Sequence, residues 1–156
     1  MLREALELQI LEQDPEAAAG VLGTGVSEHG ATEVAQVLLE ATAVALRRMV
    51  SITDEAFDLA ELLTQLALDG AVPEHRLELL TEILTAAAAT AGGIRPSIDA
   101  MAQRLGDQDL LFGAWLGTLT GLRVVAMATE VTEAELAEDV LLAFEVYGPD
   151  GEGAEG

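Results

Sequence analysis

One histidine of the sequence is followed by a carboxylate four residues further on, and such a pair could hold a metal ion. His29 precedes Glu33, so a continuous helix would place the imidazole and the carboxylate one turn apart on the same face. Both groups are common transition-metal ligands, so the spacing indicates a candidate metal site at His29 and Glu33. The alternative is a solvated helix end, because the chain has no E-x-x-H motif and helical di-metal sites need more inward carboxylates.

The residue types that enzymes use for covalent chemistry are scarce. The chain has no cysteine and no lysine, which excludes thiolate nucleophiles, Schiff bases and a P-loop lysine. The serines Ser27, Ser51 and Ser97 lie in no G-x-S-x-G motif, and no glycine-rich loop follows a strand pattern. The sequence therefore favours a protein that is not an enzyme and needs no cofactor.

Net charge is the strongest global property of this 156-residue chain, with a formal value of −21. Such a charge opposes binding to nucleic acid and to anionic membranes, which select basic surfaces. It favours encounter with a basic protein partner, which acidic helix stripes such as Glu74, Glu78 and Glu82 could face. The alternative is a compositional bias toward Ala, Gly and Arg, in which case these stripes are only solvated.

The stretch FGAWLGTLTGLRVVAMA, residues 112–128, contains Gly113, Gly117 and Gly121 at four-residue spacing. On a helix these glycines cover an arc of about 80°. That pattern is typical of a membrane dimer face, of the wall of a ligand site, or of a close helix contact in a soluble bundle. Acidic residues precede the stretch and an arginine lies within it, so a membrane span is disfavoured.

We predict that this helix, about residues 108–128, is buried at the centre of the bundle. Its glycine face should pack against the alanine surface Ala86–Ala91, and its bulky face should enter the Leu/Val core. Two alternatives stay open, because part of the helix could lie in a homodimer interface and a gap beside the glycines could admit an apolar ligand. Arg123, the only charge in the stretch, is a candidate for an ion pair or a ligand contact.

The hydrophobic period is helical along the whole chain, without a strand pattern of useful length. We predict an all-α bundle of seven or eight helices in one domain, residues 1–147, followed by a disordered acidic, glycine-rich tail, residues 148–156. The predicted helices cover residues 2–13, 15–22, 27–49, 53–68, 73–91, 96–106 and 108–128, with a last helix from residue 132.

Start and stop signals support several of these bounds. Asp14 before Pro15 is an N-cap followed by the residue type favoured at the first helical position. Thr132, with a glutamate three residues later, matches a capping box. A loop is expected at Gly23-Thr24-Gly25, with Ser27 capping the helix that follows.

Three short segments within residues 4–40 are distinctive: ELQI at Glu7–Ile10, DPE at Asp14–Glu16 and GVSEHGATE at Gly25–Glu33. Together they resemble a family of small bacterial all-helical proteins of unknown function. The resemblance aligns His29 with the first of two histidines in that family. It implies a helical N-terminal part and supplies no activity.

These observations predict a non-enzymatic, acidic helical protein that acts through protein–protein interaction. Self-association as a homodimer and binding to a basic protein partner are expected. The N-terminal segment has acids at positions 4 and 7 and no basic region before an apolar core, so we expect a cytoplasmic protein. The alternative function is binding of a small apolar ligand or a metal, with a minor catalytic role for His29, Glu33 and Arg123.

Overall fold

The computed structural model describes residues 2–53, 74–91, 93 and 97–147, and every element in these ranges is helical. The predicted all-α, multi-helix fold is confirmed. A π-helical turn, Glu7–Leu11, follows the first helix. The α-helices of the described residues are α1 (Leu2–Leu6), α2 (Pro15–His29), α3 (Ala31–Thr53), α4 (Glu74–Ala91), α5 (Ile98–Leu105), α6 (Asp107–Thr129) and α7 (Glu133–Tyr147).

Some predicted features fall outside the described residues. They are the helix predicted over residues 53–68, apart from its first residue, the helix start at Pro73, and the tail 148–156. The single-domain boundary at residues 1–147 also stays a prediction.

Capping side chains begin α2, α5 and α7. The side-chain oxygens of Asp14, Ser97 and Thr132 accept the backbone N–H three residues further on, at 3.1, 3.2 and 3.0 Å. Each bond satisfies an N–H that has no acceptor inside its own helix, which stabilises that helix by about 1 kcal/mol. The caps predicted at Asp14 and Thr132 are confirmed.

The predicted break between α2 and α3 was placed too early. Residues 23–25 are helical, and α2 continues to His29 instead of ending in a loop. The break occurs at Gly30, whose φ of +93° is a conformation that only glycine adopts readily. A glycine inside a helix costs only about 1 kcal/mol, so it weakens α2 without ending it, whereas the turn at Gly30 requires glycine. The expected cap at Ser27 is therefore wrong.

The centre of the bundle is formed by α3 together with α6. The middle of α3 is buried on nearly all sides, and α3 packs against α2, α4, α5, α6 and α7. The glycine-rich α6 packs against α3, α4, α5 and α7 but keeps one face in solvent. The centre of the bundle is therefore shared by α3 and α6, whereas the sequence predicted α6 alone there.

The contact between α3 and α6 is close and contains a pair of buried hydroxyls. A Cβ built on Gly121 would lie 3.2 Å from Cγ2 of Thr42. The hydroxyl oxygens of Thr42 and Thr118 are 3.0 Å apart, and each lies 2.9 Å from the carbonyl oxygen of Leu38. This network joins the two helices and satisfies polar groups that would otherwise be costly to bury.

The contact between α4 and α6 uses the remaining two glycines. A Cβ on Gly113 would lie 3.0 Å from Cγ of Leu79, and one on Gly117 would lie 2.8 Å from Cγ2 of Ile83. The glycines thus accept large side chains, and the expected partner surface Ala86–Ala91 was wrong. At these two positions the branched side chains of Leu79 and Ile83 fill the space above the glycines.

Replacing Gly117 by alanine should destabilise the protein by about 1–3 kcal/mol, because the new methyl group collides with Ile83. Ile83 is fully buried and β-branched, so it cannot rotate away easily. Gly20→Ala is the matched control: Gly20 is exposed in α2 with nothing within 4 Å of its Cβ position. This control should stabilise the protein by about 0.5–1 kcal/mol.

Urea unfolding measures both changes. Adding Ile83→Ala to the Gly117→Ala variant should cost less than Ile83→Ala costs in the wild type. Equal stabilisation by Gly117→Ala and Gly20→Ala would contradict the close α4–α6 contact.

Removing the hydroxyl of Thr118 with valine should destabilise the protein by about 1 kcal/mol, because one hydrogen bond across the α3–α6 contact is lost. Thr42→Val should have a similar effect, and the double variant should lose less than the sum of the two. Thr85→Val is the control, since the exposed Thr85 hydroxyl bonds only to its own helix, at 2.7 Å from the Thr81 carbonyl oxygen. Strict additivity of the Thr42 and Thr118 changes in urea unfolding would argue against a shared network.

Candidate functional site

The solvent side of α6 is an apolar stripe, which we call the outer face. At 100° per residue its members lie within an arc of about 80°, and the stripe extends along the helix for about 22 Å. This arc is opposite the buried side that contacts α3. The outer face consists of Phe112, Leu116, Leu119, Arg123 and Met127.

The outer face exposes large apolar side chains. Met127 is 58% exposed and Phe112 is 42% exposed, while Leu116 and Leu119 are half-buried. Among the described residues α6 is also the one helix long and apolar enough to cross a membrane, and 56% of its most apolar window is buried. Partial burial of that extent is typical of a core helix, and it leaves a substantial apolar surface without cover from the described bundle.

Arg123 lies in the middle of the outer face and is exposed. It forms no hydrogen bond or ion pair with the described part of the chain, so the predicted ion pair is not found there. The other arginine side chains that the structure describes are engaged by neighbouring helices. Arg3 binds Glu138 at 3.2 Å, Arg48 binds Asp139 at 3.4 Å, Arg104 binds Glu82, and Arg47 donates to two carbonyl oxygens of α4.

An acidic groove adjoins the N-terminal end of the outer face, between α4, α5 and α6. Its volume is about 690 Å³. The Glu82 carboxylate is paired with Arg104, whereas the carboxylates of Glu78 and Asp109 are exposed at the groove. The residues that line this acidic groove are Glu78, Leu79, Glu82, Leu105, Gln108, Asp109 and Phe112.

A smaller cavity of about 290 Å³ lies between α3 and α7. Its lining includes the exposed ion pair of Arg48 and Asp139 and the half-exposed side chain of Leu142. Among the described residues no such space is found beside Gly113, Gly117 and Gly121, because the positions above them are filled by side chains of α3 and α4. The ligand gap considered beside the glycines is therefore closed.

The predicted metal pair is separated by the end of a helix. His29 is the last residue of α2, Gly30 turns the chain, and Glu33 belongs to α3, so the two side chains do not share a helix face. Both are exposed, and the nearest acidic partner of His29 among the described residues is Glu28, with 3.8 Å between Nε2 and Oε2. Within that same part of the chain no group of three or more metal-ligating side chains is found.

Two features of the site have no clear signal in the sequence. Glu40 is 4% exposed within α3, although a glutamate side chain usually faces solvent. The bulky face expected to enter the core lies beside the outer face and shares only Leu119 with it. Leu122 and Ala126 of that bulky face are buried, and Leu111, Trp115 and Leu119 are half-buried against the core.

Arg47 caps a helix other than its own. Its Nη2 donates to the carbonyl oxygen of Thr90 at 3.0 Å, and its Nε donates to that of Ala91 at 3.3 Å. These carbonyls lie in the last turn of α4, where no helical N–H donates to them, and the Thr90 carbonyl also accepts the N–H of Gly93 at 3.0 Å. The guanidinium adds a charged donor and interacts favourably with the helix dipole. The helix predicted over residues 27–49 continues to Thr53, so Arg47 is not at the end of its own helix.

Comparison with protein-family models, with curated proteins and with solved structures found no match to this chain. The resemblance of residues 4–40 to a bacterial helical family stays a prediction.

Replacing Arg47 by methionine should lower the free energy of unfolding by about 1–2 kcal/mol, because the carbonyls of Thr90 and Ala91 lose a charged donor. Arg48→Met is the matched control, since its ion pair with Asp139 is exposed and worth less than about 0.5 kcal/mol. Urea unfolding gives both values, and hydrogen exchange should accelerate at the end of α4 only in the Arg47 variant. Equal losses in the two variants would contradict the capping role.

Proposed function

We propose that this protein acts by binding protein chains, including copies of itself, through the outer face of α6. The observation that carries the proposal is the exposure of Met127 and of the neighbouring apolar side chains on a helix that is otherwise part of the core. Removing such a surface from water is favourable by a free energy of about 25 cal/mol per Å² of apolar area. Contiguous exposed apolar patches typically mark interaction sites.

A non-enzymatic role is supported by the composition of the chain. The absence of cysteine and lysine and the lack of nucleophile motifs leave few groups for covalent catalysis. The separation of His29 from Glu33 removes the pairing on which a metal site was argued. Binding is then the activity that the exposed apolar face favours.

The partners that fit this proposal are a second copy of the chain and a protein with a basic surface. The formal charge of −21 favours electrostatic steering of a basic partner and opposes nucleic acid and anionic membranes. The same charge and the N-terminal sequence support a cytoplasmic location as part of the proposal.

Binding of a small apolar ligand is the competing proposal. The cavity between α3 and α7 is about 290 Å³, close to the lower limit of about 300 Å³ for small-molecule pockets. The paired charges of Arg48 and Asp139 line it, which suits an apolar ligand poorly. The small volume and the charged lining of this cavity therefore make the outer face the more favourable binding surface.

Light scattering after size exclusion, at protein concentrations from micromolar to millimolar, tests the proposal. The apparent mass should rise toward that of a dimer, and Met127→Glu should weaken the association at least about tenfold, because a charge is placed in an apolar contact. Leu11→Glu is the matched control: Leu11 is 63% exposed in the π-helical turn, outside the outer face. It adds the same charge and should leave the association unchanged.

A mass that stays monomeric at every concentration would contradict self-association. Equal weakening by Met127→Glu and Leu11→Glu would move the interface away from α6. Binding to neutral lipid vesicles that is lost in Met127→Glu would assign the face to a membrane instead of a protein.

A further inference from the structure

We propose that the outer face of α6 docks in antiparallel orientation on the outer face of a second copy, so that each Arg123 enters the acidic groove of the other. This inference rests on the proposed function and names its partner and its register. The two-fold axis passes between Leu116 and Leu119. The assembled contact is one helix pair with a charged cluster at each end.

The spacing of the outer face is that of a coiled-coil seam. Asp109, Phe112, Leu116, Leu119 and Arg123 follow one another at intervals of three, four, three and four residues. Such a seam turns little around the helix, so two copies can stay in contact along it. Apolar residues occupy its middle, and opposite charges occupy its ends.

Antiparallel pairing about the stated axis brings complementary groups together. Leu116 of one copy faces Leu119 of the other, and Arg123 faces Phe112, one turn away from Asp109. Both Phe112 and Asp109 line the acidic groove. The guanidinium therefore approaches an aromatic ring and a carboxylate, two groups that stabilise a cation as it leaves water.

The charges select this orientation over the parallel one. Parallel pairing in register would place Arg123 next to Arg123 and Asp109 next to Asp109, and like charges in a contact are strongly unfavourable. In the antiparallel arrangement both ends of the contact combine opposite signs. Among the arginine side chains that the structure describes, Arg123 is the one without a partner in that part of the chain, so it is available to the second copy.

The large negative charge of the whole molecule makes the contact between Arg123 and the acidic groove important. Two chains of formal charge −21 repel each other, so self-association needs a local attraction as well as apolar contact. A cation placed in a groove lined by Glu78 and Asp109 provides that attraction. Contact between two acidic grooves would not.

Charge exchange between Arg123 and Asp109 tests the inference on the full-length chain. We expect Arg123→Glu and Asp109→Arg each to raise the dimer Kd at least about tenfold, because each places like charges at both ends of the contact. The double variant should return the Kd to within about threefold of wild type. Arg48→Glu is the control, since Arg48 is exposed on α3 and outside the outer face.

Mixing the two single variants gives a sharper result. In the heterodimer the glutamate introduced at position 123 of one chain would face the arginine introduced at position 109 of the other, while the native Arg123 and Asp109 form the second pair. An equimolar mixture of Arg123→Glu and Asp109→Arg should therefore form a heterodimer at concentrations where each alone is monomeric. Sedimentation equilibrium measures this directly.

Cross-linking keeps the inference testable if a charge variant fails to fold. The chain has no cysteine, so one introduced thiol reacts alone with a short bismaleimide. Leu116→Cys lies near the axis and should cross-link, whereas Met127→Cys should not, because its two copies lie about 28 Å apart along the helices. A parallel contact would cross-link both variants.

The outcomes separate this inference from the proposed function. A wild-type dimer with unchanged Kd in both charge variants, or with efficient Met127→Cys cross-linking, would overturn the antiparallel register and leave self-association standing. A wild-type chain that is monomeric at all concentrations would overturn both. Heterodimer formation together with Leu116→Cys cross-linking establishes the register.

Discussion

The close approach of α3 and α6 is the constraint on which the other contacts of the bundle depend. Gly121 has no side chain, so Thr42 can lie within 3.2 Å of its Cβ position, and the hydroxyl of Thr118 can reach the carbonyl oxygen of Leu38 on α3. The hydroxyl bonds fix how α6 is rotated about its own axis. Gly113 and Gly117 then accept side chains of α4 in the same rotation.

This rotation also determines what α6 presents to solvent. The rotation that buries the glycines leaves the opposite arc of the helix in solvent, and in α6 most side chains of that arc are apolar. Leu116, Leu119 and Met127 therefore line the surface, although polar side chains there would give a more soluble monomer. The glycine contact that stabilises the core and the exposed apolar face therefore lie on opposite sides of one helix.

Arginines hold the acidic bundle together at its outer helices. Arg3 and Arg48 connect α1 and α3 to α7, and Arg104 connects α5 to α4. Individually these exposed pairs contribute little, but each neutralises a carboxylate on one of the two acidic helices, α4 or α7. Arg47 contributes more, because it is half-buried and satisfies carbonyl groups that end α4.

The sequence by itself determined the features that depend on neighbours three or four residues away. These are the helical period, the caps at Asp14 and Thr132, and the small face of α6, whose glycines lie one turn apart. Only the tertiary structure decided which side chains fill that face and that Arg47 caps α4. The physical reason is that these contacts join residues tens of positions apart, and their register follows from the shapes of whole helices packed together.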